Sequence, residues 1–273
     1  MQSSPWREIG DRVFVRRYDF FDQSIGVVIG AAGAVVIDTR SVPSQAAELR
    51  DDLRRLTDAP LAAVVNTHHH YDHAFGNAAF LPVPIWGHVD CAARLRERGE
   101  DDRQRVMREM PALAEELATV RITPPDVTFD DVRELDLGDR ALELRHLGRG
   151  HTDNDVVVRV LGADVLFAGD LYENGAPPSF GDAYPVAWAE TAGRLVELVD
   201  GVIAPGHGDP ADRVFAARQT AELTEVARLC TATLGGEISP EEMLRQSPYS
   251  APTTRHALRR ARIEASEPRL APR

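Results

Sequence analysis

The chain has 273 residues, 43% of them hydrophobic and 27% charged, the make-up of a globular protein long enough to bury one sizeable core. Its 43 acidic and 31 basic residues leave a formal charge of −12 and a pI of ≈ 5.2, which excludes the basic footprint that binding to a phosphate backbone demands. Only two cysteines occur, Cys91 and Cys230, far apart and in no Cys-x-x-Cys arrangement, so they read as reduced, structural thiols rather than a disulfide framework.

Residues 1–15 include Arg7, Glu8, Asp11 and Arg12 and hold no apolar run of signal-peptide length, and no later segment is long enough to span a membrane. A cytoplasmic setting is expected, with a small-molecule substrate and neither a membrane nor a nucleic-acid partner. Runs at 13–18, 24–29 and 34–38 read as strands, with Gly30 and Gly33 suited to a hairpin turn. A helix is expected over 44–57, after Pro43, with Leu49, Leu53 and Leu56 on one face. Strands at 61–65 and 83–86 complete the strand, helix, strand rhythm of a layered α/β domain.

The most informative stretch follows the run at 61–65. There His68, His70, Asp72 and His73 have the spacing His-x-His-x-Asp-His. Nine of the 273 residues are histidine and four of those nine lie between His68 and His73, a density that random placement does not give. In an extended loop, residues two apart point the same way, so His68, His70 and Asp72 are expected to converge. Two imidazoles and a carboxylate suit zinc, and iron or manganese less well.

Residues 89–120 turn helical and heavily charged, broken at Pro111, and read as a solvated helical cover rather than a substrate-facing lid. Strands resume at 127–129, 141–147, 155–161, 165–168 and 201–204. Three of the later ones end in a polar residue beside glycine: Gly150-His151, Gly169-Asp170 and Gly206-His207. The stretches 210–234 and 240–262 are helical in composition, with the arginines of 255–262 read as helix faces, and 267–273 as a frayed tail.

Taken in order, His-x-His-x-Asp-His, Gly-His, Gly-Asp and Gly-His resemble the motifs of the metallo-β-lactamase fold superfamily, a resemblance covering about residues 13–215. It implies an α/β fold, a four-layer αββα sandwich of two mixed β-sheets with the metals at one edge. The catalytic domain is expected over 1–215, with 216–273 a helical C-terminal extension of the same domain. It further implies two Zn2+ ions per chain, iron or manganese being the alternatives, with His68, His70 and His151 on the first, Asp72, His73 and His207 on the second, and Asp170 bridging them.

Such a pair, about 3.5 to 4 Å apart, would activate a shared water as hydroxide and polarise a carbonyl, and Asp72 is then a candidate to orient the hydroxide and carry a proton. Asp38, Asn66, Thr67 and Thr152 are candidates to hold imidazole N–H groups, turn capping being the competing reading. Tyr172 is a candidate catalytic donor to a substrate or leaving oxygen, although core packing is the favoured reading of it. His69, His88, His146 and His256 match no ligand position and read as structural or surface residues. Glu173 stands three residues after Asp170, where the cysteine-ligand zinc β-lactamases carry a lysine for the drug's carboxylate, and its charge would repel that group. The implied activity is dinuclear hydrolysis of a small ester, thioester, lactone or amide. β-Lactam hydrolysis and a metal-stabilised protein without turnover are the alternatives.

Overall fold

Two half-sheets face each other in this computed structural model, which describes residues 5–267. The N-terminal half contains β1 (Arg7–Gly10), β2 (Val13–Tyr18), β3 (Gln23–Gly30), β4 (Gly33–Ile37), β5 (Leu61–Val65), β6 (Ile85–His88) and β7 (Val127–Phe129). The C-terminal half contains β8 (Val132–Asp136), β9 (Ala141–His146), β10 (Val156–Val160), β11 (Val165–Glu173) and β12 (Val202–His207). Pairing runs β7-β6-β5-β4-β3 in one half and β12-β11-β10-β9-β8 in the other, with β2 also on β3 and β1 on β2. Both halves are mixed: β4 to β7 run parallel and β3 antiparallel to β4, while β11 and β12 are parallel and β8 to β11 alternate. His207 of β12, opposite Gln23 of β3, joins them.

Side-chain alternation turns these strands into layers. Val35 and Ile37 of β4 meet Val156, Val158 and Phe167 across the interior between the half-sheets, because residues two apart share a face. The intervening Ala34 and Val36 point the other way, onto Ala46, Leu49 and Leu53 of α1 (Pro43–Leu56). α2 (Tyr71–Ala74) carries part of the histidine motif; α3 (Val89–Glu109) and α4 (Ala114–Leu117) form a separate apolar cluster through Cys91, Leu95, Val106 and Leu117. On the opposite outer face, Val157, Leu166 and Ile203 are covered by α5 (Pro185–Val196), α6 (Arg213–Leu234), α7 (Pro240–Gln246) and α8 (Ala251–Ser266). The result is the expected helix, sheet, sheet, helix stack. Each fully buried Val, Leu or Ile adds about 1.5–3 kcal/mol to it, so a charge at Val158 would break the middle layer.

The differences from the sequence reading have local causes. β11 and β12 extend through Asp170 and His207, beyond the apolar runs that mark their beginnings, because backbone pairing continues to Glu173 opposite His207. α5 and β8 escape the pattern: the buried stripe of α5 mixes Trp188 and Leu195 with Thr191 and Ala192, and β8 buries only Leu135. The helix expected over 240–262 is two, because Pro248 lies between α7 and α8 and offers no N–H to continue a helix. α6 crosses position 215, so the expected boundary falls inside one helix. The tail expected over 267–273 lies, after Glu267, outside the described residues. Cys91 and Cys230 are free and buried. Among the described residues no helix is long and apolar enough to cross a membrane.

Candidate metal centre

Four strand ends deliver the polar residues to one edge. β5 leads into a bend carrying His68 to His70, and the chain then turns into α2, which carries Asp72 and His73. Strand-like alternation therefore does not govern the motif: the helical turn sends Asp72 away from His68 and His70. Two clusters result, His68 with His70, His151 and Asp170, and Asp72 with His73 and His207, the donor atoms of each lying within 4.8 Å of one another.

Within the first cluster, Nδ1 of His70 lies 3.1 Å from Nε2 of His68 and 2.9 Å from Nε2 of His151. Within the second, the Nε2 atoms of His73 and His207 are 3.2 Å apart, and Asp72 is 3.4 Å from His207. Asp170 touches both: one oxygen lies 3.7, 3.5 and 3.3 Å from His68, His151 and His207, the other 3.3 Å from His73. That second oxygen, Oδ1, has no hydrogen-bond partner although Asp170 is 5% exposed. Two glycines make the carboxylate's position possible. Gly169 has φ +52°, and a Cβ on Gly206 would meet Asp170 Oδ1 at 2.0 Å.

The outward nitrogens of four ligand-candidate rings have partners that fix their protons. Nδ1 of His73 donates to Asp38 at 2.8 Å, and Nδ1 of His207 to the carbonyl of Phe21 at 2.7 Å. Nδ1 of His68 donates to the Thr67 hydroxyl at 3.0 Å, and that hydroxyl donates to Asp38 at 2.8 Å. Nε2 of His70 donates to Asp182 at 2.9 Å. Each such bond leaves the inward nitrogen with a lone pair, the tautomer that a metal ligand needs. Inward nitrogens at contact distance, with a buried carboxylate oxygen free of hydrogen bonds among them, suit a cation between them, a proton or a metal ion. The donor set fits one divalent ion in each cluster, with Asp170 shared.

Electrostatics point the same way. Burial opposes charge on His73 and His207, yet Asp170 and Asp72 outweigh it, holding His73 well above the imidazole range and His207 at about 10. Burial likewise opposes charge on His70, and Asp182 overrides it to about 9. Burial lowers His151 to about 4 and His68 well below its ordinary value. Asp170, though buried, is held well below the carboxylate range by His73, His207 and His68.

Of the candidate supporting residues, Asp38 and Thr67 hold imidazoles. Asn66 instead bonds Asn77 and the His73 carbonyl, and Thr152 bonds Asp155. Tyr172 is a correction. Its ring belongs to the core under α5 and α6, and its hydroxyl donates to the Ala192 carbonyl at 3.1 Å, because its side chain leaves β11 on the face covered by helices. It does not reach the clusters.

Sequence reasoning missed Asp182, whose pairing with His70 spans 112 positions and follows no spacing rule. His69 is buried, as a structural residue should be, but does more than fill space. Its Nδ1 accepts from the Asn154 amide at 2.9 Å, and its Nε2 faces Asp182 at 3.5 Å. His69, His70 and Asp182 form a third cluster, but His70 already turns its Nδ1 to the first, so Asp182 serves as its proton acceptor.

A cleft of about 790 Å3 opens above the clusters. Its walls include Phe21 and Tyr71, Arg94 and Arg105 from α3, and Arg259 from α8. α3 is therefore more than the solvated cover expected of it; one face looks onto the cleft. Glu173 also lines it, raised to about 7 by burial and then by Asp170, with the Ser179 amide donating to it at 3.1 Å.

Residues 18–207 match the family described as the metallo-beta-lactamase superfamily. Relatives in sequence include a linear primary-alkylsulfatase of Pseudomonas sp. (strain ATCC 19151), 22% identical over 214 residues, with 65% of this chain and 40% of that protein covered. The metallo-beta-lactamase type 2 of Bacillus cereus is 24% identical over 197 residues, 70% of this chain and 69% of that one. Among solved structures, a metallo-beta-lactamase from Pontibacter korlensis has a TM-score of 0.63 at 24% identity, covering 81% of this chain and 99% of its own. The stereoselective inverting sec-alkylsulfatase Pisa1 from Pseudomonas sp. has a TM-score of 0.75 at 16% identity, covering 94% of this chain and 50% of its own. The chain thus spans half or less of the alkylsulfatases it matches.

Proposed function

The chain belongs to the metallo-beta-lactamase superfamily and is a metal-dependent hydrolase, and from that premise we propose that it cleaves a small ester, thioester, lactone or amide with two zinc ions. His68, His70 and His151 would hold the first ion and Asp72, His73 and His207 the second, with Asp170 within reach of both sets. The observation that carries this reading is Asp170: buried, within 3.7 Å of inward nitrogens from both clusters, and with one oxygen free of hydrogen bonds. When bound, the two ions supply a water acidified towards neutrality and a Lewis acid for the substrate oxygen. Asp72, on the cleft floor beside His207, orients the attacking water and passes its proton to the leaving group. Glu173 sets a limit on substrate above about pH 7, where its ionised form opposes the carboxylate of a β-lactam.

A sulfate monoester is a second reading, favoured by the fuller overlap with the alkylsulfatase fold and by Arg259 in the cleft wall, Arg94 and Arg105 there being paired with Asp102 and Glu109. The test is one panel. The purified protein is assayed for bound metal, then for turnover of chromogenic carboxylic esters, thioesters, lactones, nitrocefin and an alkyl sulfate, with and without chelator. Chelator-sensitive turnover of a carbonyl substrate is expected. Two bound metals with no turnover of any substrate would overturn the hydrolytic reading, and turnover of the sulfate alone would replace the first reading with the second.

A further inference from the structure

We propose that Arg260, in the C-terminal helix α8, is a positioning residue for the first cation: it fixes Asp182, and through Asp182 the ligating tautomer of His70. The inference rests on the reading of His68, His70 and His151 as cation ligands.

Asp182 lies between β11 and α5, outside regular secondary structure. No ladder of backbone hydrogen bonds holds its segment, so something else must aim its carboxylate. Arg260 reaches across from α8 and donates to two successive carbonyls, Nη2 to Asp182 at 2.8 Å and Nε to Ala183 at 2.9 Å. A planar guanidinium makes such a two-point grip, and an ammonium does not. With its main chain gripped, Asp182 presents one oxygen to His70 Nε2 at 2.9 Å and the other to His69 Nε2 at 3.5 Å. His69 is itself oriented by the Asn154 amide. Asp182 is thus held through its main chain by Arg260 and through its carboxylate by His69, and the other carboxylate oxygen fixes the proton on His70 Nε2, so that Nδ1 faces His68 and His151.

Arg260 is not what seats α8. Ala257, Leu258 and Ala261 of that helix sit in the core, and Glu264 accepts the amides of Val186 and Ala187 at the start of α5, each at 2.9 Å. Glu264 therefore provides an internal control, since it docks the same helix to the neighbouring segment without touching Asp182.

The test uses the full chain, stripped with chelator and titrated with cobalt(II) and with zinc against a competing chromogenic chelator. The parent is expected to take two ions. Arg260→Ala should weaken one of them by about tenfold or more while the other stays within about twofold, and should alter the cobalt absorption bands of the weakened site. Arg260→Lys, which keeps the charge without the fork, should move in the same direction. Asp182→Asn should reproduce the loss, and the double variant should lose no more than Asp182→Asn alone, as expected for residues acting in series. Glu264→Ala should leave both affinities at the parent values. Parent affinities in Arg260→Ala, additive losses, or an equal loss in Glu264→Ala would each overturn the proposal. A parent that takes up no cation would overturn the ligand assignment as well, a result distinct from a normal parent with an indifferent Arg260 variant.

Discussion

Replacing Asp38 with asparagine should strip the second ion from the site while leaving the fold intact. Asp38 is 2% exposed and has φ +68°, a backbone that asparagine tolerates. Its Oδ1 accepts the Thr67 amide at 2.8 Å, and its Oδ2 accepts both the Thr67 hydroxyl and His73 Nδ1, each at 2.8 Å. An asparagine must turn its NH2 towards one of these sets. Facing the Thr67 amide it sets donor against donor, so the NH2 takes the other side, where it can only donate to His73 Nδ1. That holds the ring's proton on Nε2, the nitrogen pointing at His207 and Asp170, and so blocks coordination. A hydrogen bond to a charged group is worth about 1.5–3 kcal/mol, and with a factor of ten per ~1.4 kcal/mol the expected loss is roughly 10- to 150-fold in affinity for the second ion. The first ion should weaken less, since Asp38 reaches His68 only through Thr67. The assay is metal content after dialysis against graded chelator, with circular dichroism to verify folding. A folded Asp38→Asn protein that retains two ions at parent affinity would refute the reasoning. Asp38→Ala is a poorer probe: it leaves the buried Thr67 amide unpaired, at about 1–3 kcal/mol, and places alanine in a left-handed conformation, at about 1–2 kcal/mol more.

Tyr172→Phe removes a buried hydroxyl that donates to Ala192, so it should cost about 1 kcal/mol of stability by denaturant melt with kcat unchanged; a large fall in kcat at parent stability would return Tyr172 to the site. Gly206→Ala puts a Cβ where Asp170 Oδ1 sits, and should release bound metal and lower turnover by about 10- to 100-fold, the scale of a disturbed metal-site support; full metal content would contradict the close approach. In the metal-free protein His207 is raised to about 10 and His73 is also held well above the imidazole range, because Asp170 and Asp72 outweigh burial. Metal takes only the neutral rings, so binding must expel protons, and apparent affinity at the second site should rise with pH from 6 to 9. Calorimetric titration in two buffers of different ionisation enthalpy counts those protons, and a release of zero at pH 7 would contradict the assignment.

The legible part of the molecule was the part with local causes. His68 to His73, His151, Asp170 and His207 each come at the end of an apolar strand run, and glycine stands next to three of them because the backbone there has to come close, as at Gly206, or turn left-handed, as at Gly169. The α/β layering was legible too, since alternation along 34–38 and 155–161 forces one face of each strand inward. What stayed hidden depends on partners distant in sequence. Nothing at Asp182 announces His70, and nothing in the arginines of α8 separates Arg260, which grips a loop, from Arg259, which lines the cleft. Tyr172 misled for the opposite reason: two residues past Asp170 suggests the same strand face as the site, but β11 is irregular there. Its register with β12 shifts between Gly169 and Glu173, which spoils any count of two.

That irregularity also explains how one strand serves two purposes. A regular β11 would send Asp170 and Tyr172 to one face, either exposing the tyrosine in the cleft or burying the Asp170 carboxylate under α5. The left-handed Gly169 and the shifted pairing that follows separate them, so Asp170 meets the histidines while Tyr172 anchors the strand to the helices behind. The two arrangements depend on each other. A carboxylate that must bridge two clusters tolerates little movement, and the tyrosine bond to Ala192 and the Trp188 bond to the Leu171 carbonyl tie residues 171 and 172 to α5. The cleft walls carry no such constraint, since Arg94, Arg105 and Arg259 lie on helices packed through their other faces. Substitutions there can change which substrate enters without disturbing the two donor clusters.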